Sequence, residues 1–152
     1  MDEVFEVKSK EAMRALGARF ARRIHPGVVA LSGELGAGKT TFVQGILAEM
    51  GAQGHFTSPT FVIMKRYDLS VPVRGIERVY HVDAYRVGEE DLRMQGFVEW
   101  GNDSAGIVLL EWSELVPGLV PETAVRISFT VEKEGRRSVS WQKSEEESLL
   151  VK

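Results

Sequence analysis

Apolar and polar residues change rhythm several times along this chain, and each change marks an element. Residues 3–8 alternate charged and apolar side chains, which predicts a short edge strand. From Ser9, a good helix N-cap, Met13, Leu16, Phe20 and Ile24 recur at helical spacing. They predict a helix to about Ile24, closed by His25-Pro26-Gly27. Val28 to Ser32 is a short, partly β-branched apolar run, the form of a buried strand. Helical spacing returns over Thr41–Met50, with Phe42, Val43, Ile46, Leu47 and Met50 on one face and Gly51 as a stop. Phe61–Tyr67 and Arg78–Asp83 predict two strands, an antiparallel hairpin with a turn region from Asp68 to Gly75. Glu89-Glu90-Asp91 opens a short helix that stops near Gly96, and Phe97–Trp100 adds a turn. Ile107–Leu110, ending in Glu111, is the second buried strand. Ala124 to Glu132 alternates through Val125, Ile127, Phe129 and Val131, and Glu134-Gly135 turns into a last strand, Arg136–Trp141. The tail Ser144-Glu145-Glu146-Glu147 reads as solvated.

Composition narrows the class. The 152 residues fit one domain, 1–152, with no repeat and no low-complexity block. A net charge of −3 argues against a nucleic-acid binder that works through a broadly basic surface. With no cysteine, thiol catalysis, disulfides and thiolate metal sites are excluded. The acidic N-terminus lacks a signal-peptide core, no run is long enough to span a membrane, and the cytosol is the default location.

The chemistry is concentrated in Gly33-Glu34-Leu35-Gly36-Ala37-Gly38-Lys39-Thr40, a phosphate-binding pattern placed between a predicted strand and a predicted helix. Glycines let the backbone turn around an anion with its N–H groups inward. Lys39 would place a positive charge on the outer phosphates, and the Thr40 hydroxyl would be one ligand of a Mg²⁺ bridging them. Asp83 and Glu111 each stand at a strand end, where carboxylates reach ligands in α/β folds. Glu111 has the form of the acidic, Mg²⁺-side residue of such sites, although Asp is the usual choice. The loop 51–60 reads either as a surface connection or as a switch whose hydroxyls sense the terminal phosphate.

A phosphate loop alone says only nucleoside triphosphate. The usual guanine motif, Asn-Lys-x-Asp, is impossible because the sole asparagine, Asn102, is followed by Asp103. A small-molecule or nucleotide kinase needs a lid and an acceptor pocket; Arg136-Arg137 is the candidate arginine pair, and no lid-like insertion is evident. A small ATPase that switches its binding to a protein partner fits the length better.

Four motifs then converge: Gly33 to Phe42, Ser58-Pro59-Thr60-Phe61, Tyr80 to Arg86, and Leu110-Glu111-Trp112. In that order and spacing, from about Ser9 to Val139, the chain resembles the TsaE (YjeE) family, the ATPases of bacterial tRNA threonylcarbamoyladenosine biosynthesis. The resemblance implies an α/β P-loop NTPase sandwich, a mixed central β-sheet flanked by helices, with ATP and Mg²⁺ as cofactors. It implies that Gly33, Glu34, Leu35, Gly36, Ala37, Gly38, Lys39, Thr40 and Thr41 hold ATP, with Lys10, Glu114, Arg136 and Trp112 near the nucleotide. It implies Thr40 and Glu111 as Mg²⁺ ligands, Lys39, Asp83 and Glu111 as the catalytic set, and Ser58-Pro59-Thr60 as the switch. Implied partners are TsaB and TsaD, with tRNA held through their complex, which ATP hydrolysis resets between turnovers. Two stretches depart from the family pattern: Tyr67–Arg78, which is longer than usual, and Trp100–Asp103.

Overall fold

A computed structural model describes residues 2–54, 56 and 63–142. Seven strands form one mixed sheet: β1 (Asp2–Val7), β2 (Gly27–Gly33), β3 (Met64–Val73), β4 (Ile76–Asp83), β5 (Gly106–Glu111), β6 (Val125–Val131) and β7 (Arg137–Gln142). Their spatial order is β1-β7-β6-β2-β5-β4-β3. The central four, β6-β2-β5-β4, run parallel. Antiparallel strands finish each side: β7 and β1 on one, β3 on the other. The helices are α1 (Lys10–Ala21), α2 (Lys39–Glu49), α3 (Glu89–Gln95) and α4 (Phe97–Gly101).

The continuous apolar runs of β2 and β5 are explained by burial on both sheet faces. Val29, Leu31, Ile107 and Leu109 point to a core shared with Met13, Leu16 and Phe20 of α1 and Phe42, Ile46 and Leu47 of α2. The alternate residues Val28, Val108 and Leu110 point to a second core with Leu92, Phe97 and Leu119. Each large apolar side chain sealed in this way contributes about 1.5–3 kcal/mol.

Helix α1 begins where expected, with the Ser9 hydroxyl accepting from the Ala12 N–H at 3.0 Å. It stops at Ala21, three residues before Ile24, although Ile24 remains in the core at 2% exposure. The α1–α2 crossing needs glycine on both sides. A Cβ on Gly17 would lie 2.2 Å from the Phe42 carbonyl oxygen, and one on Gly45 would lie 2.1 Å from that of Arg14. The two backbones therefore touch, and α1 is clamped to the helix that follows the glycine-rich loop.

The expected turn region over 68–75 is corrected. Strand β3 continues through Pro72 to Val73, and Arg74-Gly75 alone makes the turn. Asp68 pairs with Arg78 and Val73 with Ile76, so residues 69–72 form an irregularity opposite Glu77. Pro72 is tolerated because β3 is an edge strand. Both turn residues have positive φ, 46° and 82°, as a two-residue hairpin turn requires. Arg74, an unusual residue there, is tied down by its Nε donating to the Ile24 carbonyl at 2.8 Å. Residues 69–72 are thus accommodated within the edge strand. Phe61 and Val62, expected to open that strand, lie outside the described residues.

Candidate nucleotide-binding site

The C-terminal ends of the parallel strands β2, β4 and β5 meet the loop Gly33–Gly38 and the start of α2. Gly38 has φ 108°, which L side chains rarely adopt, and a Cβ there would lie 2.6 Å from the Met13 Cε. This glycine turns the loop into α2, whose first N–H groups then face the cleft. Glu114, in a 3₁₀ turn after β5, accepts from the Gly33 N–H at 2.9 Å and holds the start of the loop.

Lys39 is only 4% exposed. Its Nζ donates to the Gly33 carbonyl, and to the Glu34 carbonyl at 3.2 Å. Burial pushes its pKa below the ordinary lysine value, while Glu114, Glu111, Asp83 and Glu34 pull it back up. Its Nζ also lies 3.7 Å from the centre of the Trp112 ring. Trp112 itself adopts left-handed backbone angles, φ 62° and ψ 37°. For so bulky a residue this is an uncommon conformation, and such outliers collect at functional sites.

The two acidic strand ends come together. Asp83 of β4 and Glu111 of β5 are directly paired in the parallel ladder. Side chains in that relation share a face, so two carboxylates project beside the loop. The Thr40 hydroxyl donates to Glu111 Oε1 at 2.9 Å, and His81 Nε2 bonds to Glu111 Oε2. Glu111 is 2% exposed. Two adjacent carboxylates and a hydroxyl suit a hard divalent cation that completes its oxygen shell from phosphates and water. No group of three or more His, Asp or Glu able to hold a metal occurs among the described residues, so phosphate oxygens would have to share the coordination.

A cleft of about 530 Å³ runs over these groups, lined by the loop from Leu35 to Lys39 and by Thr40, Thr41, Lys10, Asp83, Glu111 and Trp112. Tyr85 and Arg86 also line it. Neither was singled out from sequence, although both lie inside the Tyr80–Arg86 motif, and that was the available signal. A smaller pocket of about 190 Å³ adjoins it, sharing Lys10, Gly36, Gly38 and Thr41 and reaching Ser9 and Arg137.

Arg136 is not at this cleft. Its Nη1 pairs with Glu6 at 3.1 Å on the exposed β1 side. The next residue, Arg137, turns to the loop and donates from Nε and Nη2 to the Gly36 carbonyl at 3.3 and 3.1 Å. The expected switch residues Ser58, Pro59 and Thr60 lie outside the described residues. The tryptophans also separate: Trp141 is in the first core, Trp100 packs against the second, and Trp112 covers Lys39.

The chain is similar to known proteins. A family model described as threonylcarbamoyl adenosine biosynthesis protein TsaE matches residues 7–139. A Haemophilus influenzae protein named tRNA threonylcarbamoyladenosine biosynthesis protein TsaE is 34% identical over 78% of this chain and 75% of its own. The Bacillus subtilis protein of the same name is 33% identical over 86% of this chain and 77% of its own. A crystal structure of Bacillus subtilis YdiB superposes with a TM-score of 0.75, covering 99% of this chain and 91% of that one at 24% identity, a likeness of fold.

Proposed function

The chain belongs to the TsaE family of tRNA threonylcarbamoyladenosine biosynthesis proteins, and we propose that it serves that pathway as a Mg²⁺-dependent ATPase. The observation that carries this reading is the convergence of Lys39, Thr40, Asp83 and Glu111 on one cleft at the strand ends. Loop N–H groups and Lys39 take the β- and γ-phosphates, and the nucleoside lies toward the adjoining pocket beside Lys10 and Arg137. Thr40 and Glu111 are the residues that would hold Mg²⁺, which when bound supplies charge neutralisation across the terminal phosphates. Asp83 stands beside Glu111, where it can orient water or a metal-bound water.

Hydrolysis of ATP resets a complex of TsaB and TsaD between rounds of tRNA modification, in the cytoplasm. The acidic net charge of −3 supports a role in which the partners hold the tRNA.

The test is hydrolysis of ATP and GTP side by side, with and without TsaB and TsaD. A slow, ATP-selective rate that changes markedly with the partners is the expected result. Phosphate transfer to a metabolite, with no response to the partners, would overturn it in favour of a small-molecule kinase.

A further inference from the structure

We propose that His81 is a positioning residue that fixes the orientation of the Glu111 carboxylate toward the phosphate loop. The inference rests on the reading of Glu111 as a Mg²⁺ ligand and adds a residue to it. His81 lies on β4 at 1% exposure, two residues before Asp83 and on the same sheet face. Its Nε2 meets Glu111 Oε2, while the other oxygen, Oε1, accepts from the Thr40 hydroxyl.

A carboxylate that ligates a cation only accepts hydrogen bonds, and one this deeply buried must have its oxygens satisfied. In that role of Glu111 the His81 ring carries its proton on Nε2. Its Nδ1 is buried and has no hydrogen-bond partner among the described residues, so there the contact with Glu111 is what selects the tautomer. With Oε2 tied to a ring packed inside the sheet, the carboxylate cannot rotate freely. Oε1 stays aimed at Thr40, the side on which the cation and the phosphates would sit. A histidine serving only as core filler has no need of this tautomer or of this carboxylate partner.

Two variants separate the roles. His81→Gln can place an amide N–H near the Nε2 position; His81→Asn is too short to reach Glu111. Binding of a fluorescent ATP analogue is titrated with Mg²⁺ and in EDTA, and thermal melts verify that both variants are folded. In His81→Asn, the Mg²⁺ concentration giving half of the affinity gain rises about tenfold or more, the usual cost of losing a group that orients a metal ligand. His81→Gln recovers much of it. Equal Mg²⁺ dependence in His81→Asn and the wild type overturns the inference. Glu111→Gln is the control: if it abolishes the Mg²⁺ gain while His81→Asn does not, the metal reading stands and the role of His81 falls. If Glu111→Gln keeps the full gain, the metal reading itself is overturned, and the inference with it. Long-range ¹H–¹⁵N spectra of the labelled wild-type protein give a readout that needs no variant. The Nε2–H tautomer is expected, and Nδ1–H overturns the proposal.

Discussion

The Lys39 ammonium rests 3.7 Å from the centre of the Trp112 ring and at the same time donates to two carbonyls of its own loop. Its contacts are therefore internal ones that a polyphosphate would have to replace. Binding would draw Nζ toward the anion and change the surroundings of the indole. ATP is expected to alter tryptophan emission in the wild type, and Trp112→Phe should remove that change although Trp100 and Trp141 remain. An equal change in Trp112→Phe would show that Lys39 does not move away from this ring. Lys39→Ala should weaken ATP binding at least about tenfold, since a charge-assisted contact is worth about 1.5–3 kcal/mol.

A second relationship predicts behaviour in acid. Arg78 of β4 reaches Asp103 with Nε at 2.6 Å and Nη2 at 2.8 Å, and the Tyr80 hydroxyl donates to the same carboxylate at 2.7 Å. The Arg78 guanidinium first, and Tyr80 next, hold the Asp103 carboxyl well below the usual carboxylate range. A depressed folded-state pKa means that the unfolded chain binds the proton first. The stabilisation is complete above the unfolded value of about 3.9 and is lost as pH falls from there toward the folded value. Asp103→Asn should therefore lower the Tm at neutral pH and flatten its decline below about pH 4. A variant whose acid limb keeps the wild-type slope would remove Asp103 from the cause.

How much of this was legible in the sequence depends on the range of the interaction. Strand β2, the glycine-rich loop and α2 could be read because periodicity and motif act within one stretch. Glu111 and Asp83 could be placed at strand ends, but their direct pairing needed the β4–β5 register. The end of α1 was misread because Ile24 is buried for tertiary reasons after the helix has stopped. The Arg74-Gly75 turn was hidden because its first residue lacks the usual turn chemistry and is held from outside by Ile24. His81 entered only as part of the Tyr80–Arg86 motif, and its own role was hidden because its carboxylate partner lies thirty positions away.

The α1–α2 contact shows a demand that no local pattern carries. Alanine is the better helix former by about 1 kcal/mol, so propensity alone favours Gly17→Ala and Gly45→Ala. Sterics oppose it: each new Cβ would lie 2.1–2.2 Å from a backbone carbonyl oxygen of the facing helix, and backbone cannot yield as a flexible side chain can. The two helices must separate, at an overpacking cost of about 1–3 kcal/mol or more. Both variants should melt below the wild type, and the double variant should not be additive, because one separation relieves both clashes. Unchanged melting temperatures would mean that the helices stand further apart.

Arg136, just before β7, and Arg137, its first residue, give the sharpest contrast between sequence and structure. Adjacent residues of an extended backbone point to opposite sides, and nothing local says which of Arg136 and Arg137 turns to the loop. The structure pairs Arg136 with Glu6, with both side chains roughly half exposed, where an ion pair is worth about 0–1 kcal/mol. It places Arg137 on the Gly36 carbonyl, beside the pocket that it shares with Lys10 and Thr41. Removing Arg137 takes a guanidinium from the loop and from the wall of that pocket. Arg137→Ala is expected to lower affinity for both ATP and ADP several-fold, because the loop and the pocket serve the nucleoside end as well as the phosphates. Arg136→Ala should leave both affinities within about twofold of the wild type, since it breaks only an exposed pair. Calorimetric titration of the two variants with each nucleotide decides the matter. A larger loss in Arg136→Ala than in Arg137→Ala would reverse the assignment and return the role to the residue first expected from the family resemblance.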